Sequence, residues 1–93
     1  IITSDNLKSV LKDTVNTISN LFSKPLPILT FKDGEAHKTM ESIGHLHQQM
    51  FSLGLTRKTL VFALGGGNVG DIAGFASSIY LRGIPFIQIP TTL

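Results

Sequence analysis

The chain has 93 residues, enough for one small domain or a piece of a larger one. Eight Lys and Arg against six Asp and Glu leave +2, and with no basic run this excludes a nucleic-acid patch. At 42% hydrophobic the chain is too apolar for disorder, yet no apolar stretch spans a membrane, and the lack of cysteine excludes disulfides and thiolate metal sites.

Residues 1–3 are a short apolar run, read as the tail of a strand already in progress. Ser4 and Asp5 then stand where helix N-caps stand. Leu7, Val10, Leu11, Val15, Ile18 and Phe22 recur at steps of mostly three or four, which predicts one amphipathic helix of roughly five turns. Pro25 ends it, because the residue before proline avoids the α region. Residues 27–31 read as a second strand, and residues 32–35 as a polar turn. A second helix is predicted over about 37–53, with Met40, Ile43, Leu46 (or His47), Met50 and Leu53 as its apolar stripe and Gly54 as its C′ glycine. Residues 59–64 are apolar at nearly every position, the pattern of a parallel strand covered on both faces. Gly65-Gly66-Gly67 makes a turn into a third helix over about 68–81, rich in Gly, Ala and Ser. Gly83 closes that helix, and residues 86–89 form a fourth strand before Pro90.

The order β-α-β-α-β-α-β predicts a doubly wound, Rossmann-like α/β fold with a parallel sheet. Charge agrees: residues 59–93 carry only Asp71 and Arg82, so this half is expected to be the sheet centre plus a buried helix. Strand patterns reach both ends, so the chain reads as an excerpt of a longer protein, one part of a single α/β domain. No charged segment followed by an apolar one marks a leader, and a cytoplasmic setting is expected.

Gly65-Gly66-Gly67-Asn68-Val69-Gly70 fits G-x-G-x-x-G, and it lies where the fingerprint has meaning, between a buried strand and a helix. Glycines let a backbone approach a phosphate, and the unpaired N–H groups of the helix's first turn face the anion. Gly70 and Gly74, four apart, share one helix face and permit close packing. Asp71 is expected in the first helical turn, where the dipole favours an anion; beside a pyrophosphate it has to point past the phosphates. A standard dinucleotide fold has an acid at the end of the next strand to hold the ribose, but here that strand ends in Gln88-Ile89-Pro90-Thr91-Thr92. Either the ligand is no dinucleotide, or other elements hold its ribose. Thr91 and Thr92 stand at a strand's carboxyl end, where α/β sheets bind ligands; a plain strand exit is the alternative. Arg82 reads either as a phosphate ligand or as a cation at a helix C-terminus.

Three blocks carry a resemblance: Asp33-Gly34-Glu35-x-x-Lys38-Thr39; Gly65-Gly66-Gly67-x-Val69-Gly70-Asp71-x-x-Gly74-Phe75; and Tyr80-x-Arg82-Gly83-Ile84-Pro85-Phe86-Ile87-Gln88-Ile89-Pro90-Thr91-Thr92-Leu93. In order and spacing they resemble the 3-dehydroquinate synthase family across essentially the whole chain. The resemblance implies a fragment of the N-terminal, NAD-binding half of an enzyme that converts 3-deoxy-arabino-heptulosonate 7-phosphate to 3-dehydroquinate with loss of phosphate, a step of the shikimate pathway. It further implies catalytic NAD, a divalent metal (Zn or Co) and a homodimer when full length. By position, Asp33, Gly34, Glu35 and Lys38 match the segment near the adenosine side of NAD, and so does Asn6. Gly66, Gly67, Asn68, Val69, Gly70 and Asp71 match the pyrophosphate turn, and Thr91 and Thr92 a cofactor-contacting pair. Ser4 stands where the family often has Asp, which puts one adenosine ribose contact in doubt, and Asn68 replaces an apolar residue.

The family's metal ligands and substrate lysines are expected outside these residues, in a helical metal and substrate domain, so the fragment alone should be inactive. His45 and His47 lie two apart on a helix, hence on different faces, and with His37 are not expected to bind metal. Other readings are a different sugar phosphate cyclase, a metal-dependent glycerol or glycerol-phosphate dehydrogenase relative, and a binding-only module.

Overall fold

The computed structural model describes residues 1–23, 25–32 and 39–91. The elements alternate as the pattern predicts: β1 (Ile2–Ser4), α1 (Asp5–Lys8), α2 (Lys12–Leu21), β2 (Leu29–Phe31), α3 (Thr39–Ser52), β3 (Val61–Gly65), α4 (Gly67–Ile79), a 3-10 turn (Tyr80–Arg82) and β4 (Phe86–Pro90). The four strands pair in parallel in the order β2-β1-β3-β4. The chain steps from β1 to β2 on one side, then returns to lay β3 and β4 on the other. Its direction reverses between β1 and β3, the kind of crevice where open α/β sheets bind ligands.

Right-handed crossovers put α2 on one face, and α3 and α4 on the other. The two cores follow this division. Leu11, Val15 and Ile18 pack with Leu64 on the α2 face, whereas Ile43, Leu46, Met50, Ile72 and Ala76 pack with Ile2 and Ala63 on the opposite face. Period-2 alternation along β3 separates Ala63 from Leu64. No helix among the described residues is long and apolar enough to cross a membrane.

The predicted five-turn first helix is instead two pieces, α1 and α2, broken over residues 9–11. The path stays nearly helical, for Leu11 N donates to Leu7 O at 2.8 Å and Val15 N to Leu11 O at 2.9 Å. Leu11 departs to φ −97°, ψ 17°, and it is buried while Val10 stays 60% exposed. The break lets Leu11 reach the core at the cost of the regular stripe. Phe22, expected in that stripe, is half exposed and tilts its ring onto Phe62 with centroids 5.7 Å apart.

In α3, Ile43, Leu46 and Met50 are buried as predicted, but Met40 is 68% exposed and Leu53 is also exposed. The helix overhangs what it covers. Fourteen residues are about 21 Å of helix, while the three residues of β2 are about 10 Å of strand. Gly54 ends the helix at φ 72°, with Gly54 N donating to Phe51 O (3.0 Å) and Leu55 N to Met50 O (3.1 Å), a Schellman motif. Gln49 Nε2 donates to Thr30 O at 3.0 Å, giving a partner to a carbonyl of the outer strand β2. His47 Nε2 donates to Ala76 O at 3.0 Å and joins α3 to α4, while His45 is exposed.

Of these four strands β4 is the outer one, and Phe86 to Gln88 are exposed. Among the described residues nothing pairs beyond it, so its apolar sequence has only α4 and β3 to pack against.

Candidate functional site

β3 delivers its chain to the carboxyl edge of the sheet at Gly65, beside the switch point. The three consecutive glycines there do different work. Gly65 has φ 151°, and a Cβ on it would lie 2.6 Å from Cγ2 of Val69 and 3.2 Å from Cδ1 of Leu7. It is required by the turn itself, since α1 and α4 both close on it. A Cβ on Gly66 or Gly67 would meet nothing within 4 Å. The protein leaves open space over these two residues and does not need their glycine character for packing.

α4 begins at Gly67, one residue earlier than the sequence suggests. Gly70 N donates to Gly66 O at 3.1 Å, the first bond of the helix ladder. The first turn of α4 thus lies beside the open space over Gly66 and Gly67, at the positive dipole end of a 13-residue helix. Gly70 belongs to packing more than to this surface. A Cβ there would run into the Gln88 side chain, and one at Gly74 would come 2.8 Å from the Phe86 ring. Both glycines bring α4 down onto β4. Asp71 becomes the fifth residue of the helix and lies just past its first turn, in contrast to the expectation; its side chain is exposed.

Other site candidates converge on the same edge. Thr91 N donates to Gly65 O at 3.1 Å, which ties the exit of β4 to the turn, and its Oγ1 is buried without a partner. Ser4, at the end of β1, is fully buried, and its Oγ likewise has no partner. Asn6 is exposed on α1, one residue before the Leu7 side chain that reaches Gly65. Arg82 is remote. Thirteen residues of α4, about 20 Å, separate it from Gly67, so it cannot hold the same phosphate as the glycine turn. It carries φ 69° at the 3-10 turn, next to Leu81 at 49°. Asp33, Gly34, Glu35, Lys38 and Thr92 lie outside the described residues.

These features suit a pyrophosphate: open space over glycine backbone, a helix N-terminus beside it, and hydroxyls without protein partners at the strand ends. They do not suit a metal, for no group of three His, Asp or Glu among the described residues could hold one. Sequence reading took Ser4 as a helix cap, a bond its side chain does not make, and it passed over the separate duty of Gly65. The signal for the latter was the four-residue spacing between Gly65 and the β-branched Val69.

Comparison with known proteins decides the family. The profile described as 3-dehydroquinate synthase N-terminal matches residues 28–93. The chain belongs to this family. Named 3-dehydroquinate synthases resemble it closely: that of Alkaliphilus metalliredigens (strain QYMF) is 45% identical over 93 residues, all of this chain and 26% of the relative. That of Pelotomaculum thermopropionicum is 54% identical over 61 residues, 66% of this chain and 16% of the relative. The chain thus spans at most about a quarter of the length of these relatives. Among solved structures, a 2-deoxy-scyllo-inosose synthase superposes with a TM-score of 0.83 at 34% identity, over 98% of this chain and 26% of that one. A 2-epi-5-epi-valiolone synthase from Streptomyces hygroscopicus subsp. jinggangensis 5008, with NAD+ and Zn2+ bound, gives 0.84 at 27% identity, over 98% of this chain and 26% of that one. Another 2-deoxy-scyllo-inosose synthase structure holds carbaglucose-6-phosphate, NAD+ and Co2+.

Proposed function

We propose that this chain is part of the NAD-binding half of a 3-dehydroquinate synthase, which turns 3-deoxy-arabino-heptulosonate 7-phosphate into 3-dehydroquinate and phosphate. The observation that carries the cofactor part is the glycine turn, with open space over Gly66 and Gly67 at the start of α4 and beside the switch point. The choice of reaction rests on the named relatives.

In this reading the backbone of Gly66, Gly67, Asn68 and Val69 holds the pyrophosphate, and the α4 dipole offsets its charge. Gly65 sets the turn so that these groups point outward, and Gly70 lets α4 sit close enough to β4 to keep them there. Thr91 and Thr92 contact the nicotinamide half, and Asn6, Asp33, Gly34, Glu35 and Lys38 the adenosine half. Asp71, one turn into the helix and exposed, faces past the phosphates. NAD held there would supply reversible hydride exchange with a ring alcohol of the substrate, with no net reduced cofactor released. The divalent metal, zinc or cobalt, and the substrate's phosphate are held by the remainder of the protein, which works as a cytoplasmic homodimer.

The structural neighbours favour a second reading, a cyclase for another sugar phosphate. One experiment separates the readings. The full-length protein is incubated with NAD+, Zn2+ and either the heptulosonate phosphate or glucose 6-phosphate, while phosphate release and NADH absorbance are followed together. Phosphate release from the heptulosonate phosphate without NADH build-up is expected. Release from glucose 6-phosphate alone would select the second reading. NADH build-up with glycerol, without phosphate release from either sugar, would indicate a dehydrogenase.

A further inference from the structure

We propose that Gln88 is a positioning residue for the bound dinucleotide; this rests on the NAD reading above. It acts through Gly70 and holds the first turn of α4 where the Gly66 and Gly67 backbone meets the pyrophosphate. β4 and α4 meet as two matched pairs. Gln88 is level with Ala63 and Phe86 with Val61, and both β3 residues belong to the core under α3 and α4. Both β4 side chains therefore stand on the α4 face. The Gln88 amide lies against Gly70, and the Phe86 ring against Gly74. Two residues of strand advance about 6.6 Å and four of helix about 6 Å, so two side chains fit two glycine notches in step. Gln88 and Gly70 are the pair at the ligand end.

That end of α4 has little else to hold it. Its N-cap is Gly66, which has no side chain with which to cap the helix. The helix ladder begins only at Gly70, whose N–H donates to Gly66 O at 3.1 Å. On the β3 side, Val69 is buried and closes on Gly65, where a Cβ would come 2.6 Å from its Cγ2. On the β4 side, the Gln88 amide takes the corresponding place against Gly70. The two contacts fall on consecutive residues, about 100° apart around the helix, so together they fix both the height and the tilt of the turn. Gly66 and Gly67 come just before this pair, with open space over them. A cradle made of glycine backbone has no rotamers with which to adapt to a ligand. Its affinity depends on where the turn is held, and small displacements are felt. What the notch at Gly70 requires of residue 88 is length enough to fill it.

The test uses the full-length protein. NAD+ affinity is read by calorimetry, and the ligand-free form is followed by thermal unfolding and by hydrogen exchange at the Gly70 amide. Gln88→Ala empties the notch and should weaken NAD+ about tenfold, with the ligand-free melting temperature within about 3 °C of wild type. Exchange at Gly70 should quicken at the same time, because the first turn is less firmly held. Gln88→Met, with nearly the same length and no amide, should keep both affinity and exchange near wild type. Phe86→Ala, which empties the deeper notch at Gly74, should lower the melting temperature but leave affinity within about twofold. The proposal is overturned if Gln88→Ala binds within about twofold of wild type. It is equally overturned if Gln88→Met loses as much as Gln88→Ala, which would assign the role to the amide's hydrogen bonding. Loss of affinity in Phe86→Ala to the same degree, or a fall of many degrees in the melting temperature of Gln88→Ala, would reduce the contact to general seating of α4 and overturn it too. Wild-type protein that binds no NAD+ would remove the cofactor reading itself, and the role of Gln88 with it.

Discussion

A methyl group at Gly65 would stand 2.6 Å from Val69 Cγ2 on a backbone at φ 151°, and neither the buried valine nor the turn can yield cheaply. Gly65→Ala should cost about 1–3 kcal/mol from backbone strain alone, with more from the clash, read as a fall in the chemical-denaturation midpoint of the full-length protein. Two positions on, the outcome reverses. Gly67 opens on empty space, so Gly67→Val should leave stability within about 1 kcal/mol while NAD+ binding disappears, as followed by calorimetry. Unchanged affinity in a folded Gly67→Val protein would remove the pyrophosphate assignment. Gly74 falls between these cases. The Phe86 ring in its way is 40% exposed and free to swing, and alanine is the better helix former, so Gly74→Ala should lie within about 1 kcal/mol of wild type.

Among the helices, α3 is held by the middle of its apolar stripe. Met50→Ala, at a position with no exposure, should cost about 2–5 kcal/mol; Met40→Ala, on the overhanging end, should stay within about 0.5 kcal/mol. Thermal unfolding of the two variants side by side checks this. The same contrast explains what the sequence could and could not convey. A 3.6-residue period reports which side of a helix is apolar, but not how far the sheet beneath it extends, so Met40 and Leu53 looked like core residues. It also could not report that Leu11 has to leave the helical path to meet Leu64, because that depends on where β3 lies. Capping chemistry was plain, since Gly54 closes α3 by a local rule. The glycine turn was equally plain, for a fingerprint between a strand and a helix needs only neighbours in sequence. That the Ser4 hydroxyl is buried without a partner was not legible, for it depends on strands far away in the chain.

For the molecule as a whole, the order of alternation was legible and the sheet order was not, because hydropathy does not say which side of β1 receives β3. Low charge over residues 59–93 goes with a buried β3, while β4, the outer one of these four strands, leaves Ile87 48% exposed. In the 93-residue chain such an edge invites association, and Ile87→Lys should lower the sedimentation-averaged mass.

The reversal of direction at β1 also governs when the site can exist. Ile2 waits for Ala63 to become its neighbour, and Gly65 accepts its bond from Thr91 only after α4 has been built. Pairings between residues so far apart are slow to form, because the intervening loop has to close before any contact rewards it. A ribosome would thus leave the β3 side of β1 open for most of this segment's synthesis, and the ligand crevice would be completed last. NAD would then act late, as a clamp on a finished sheet and not as a template for it.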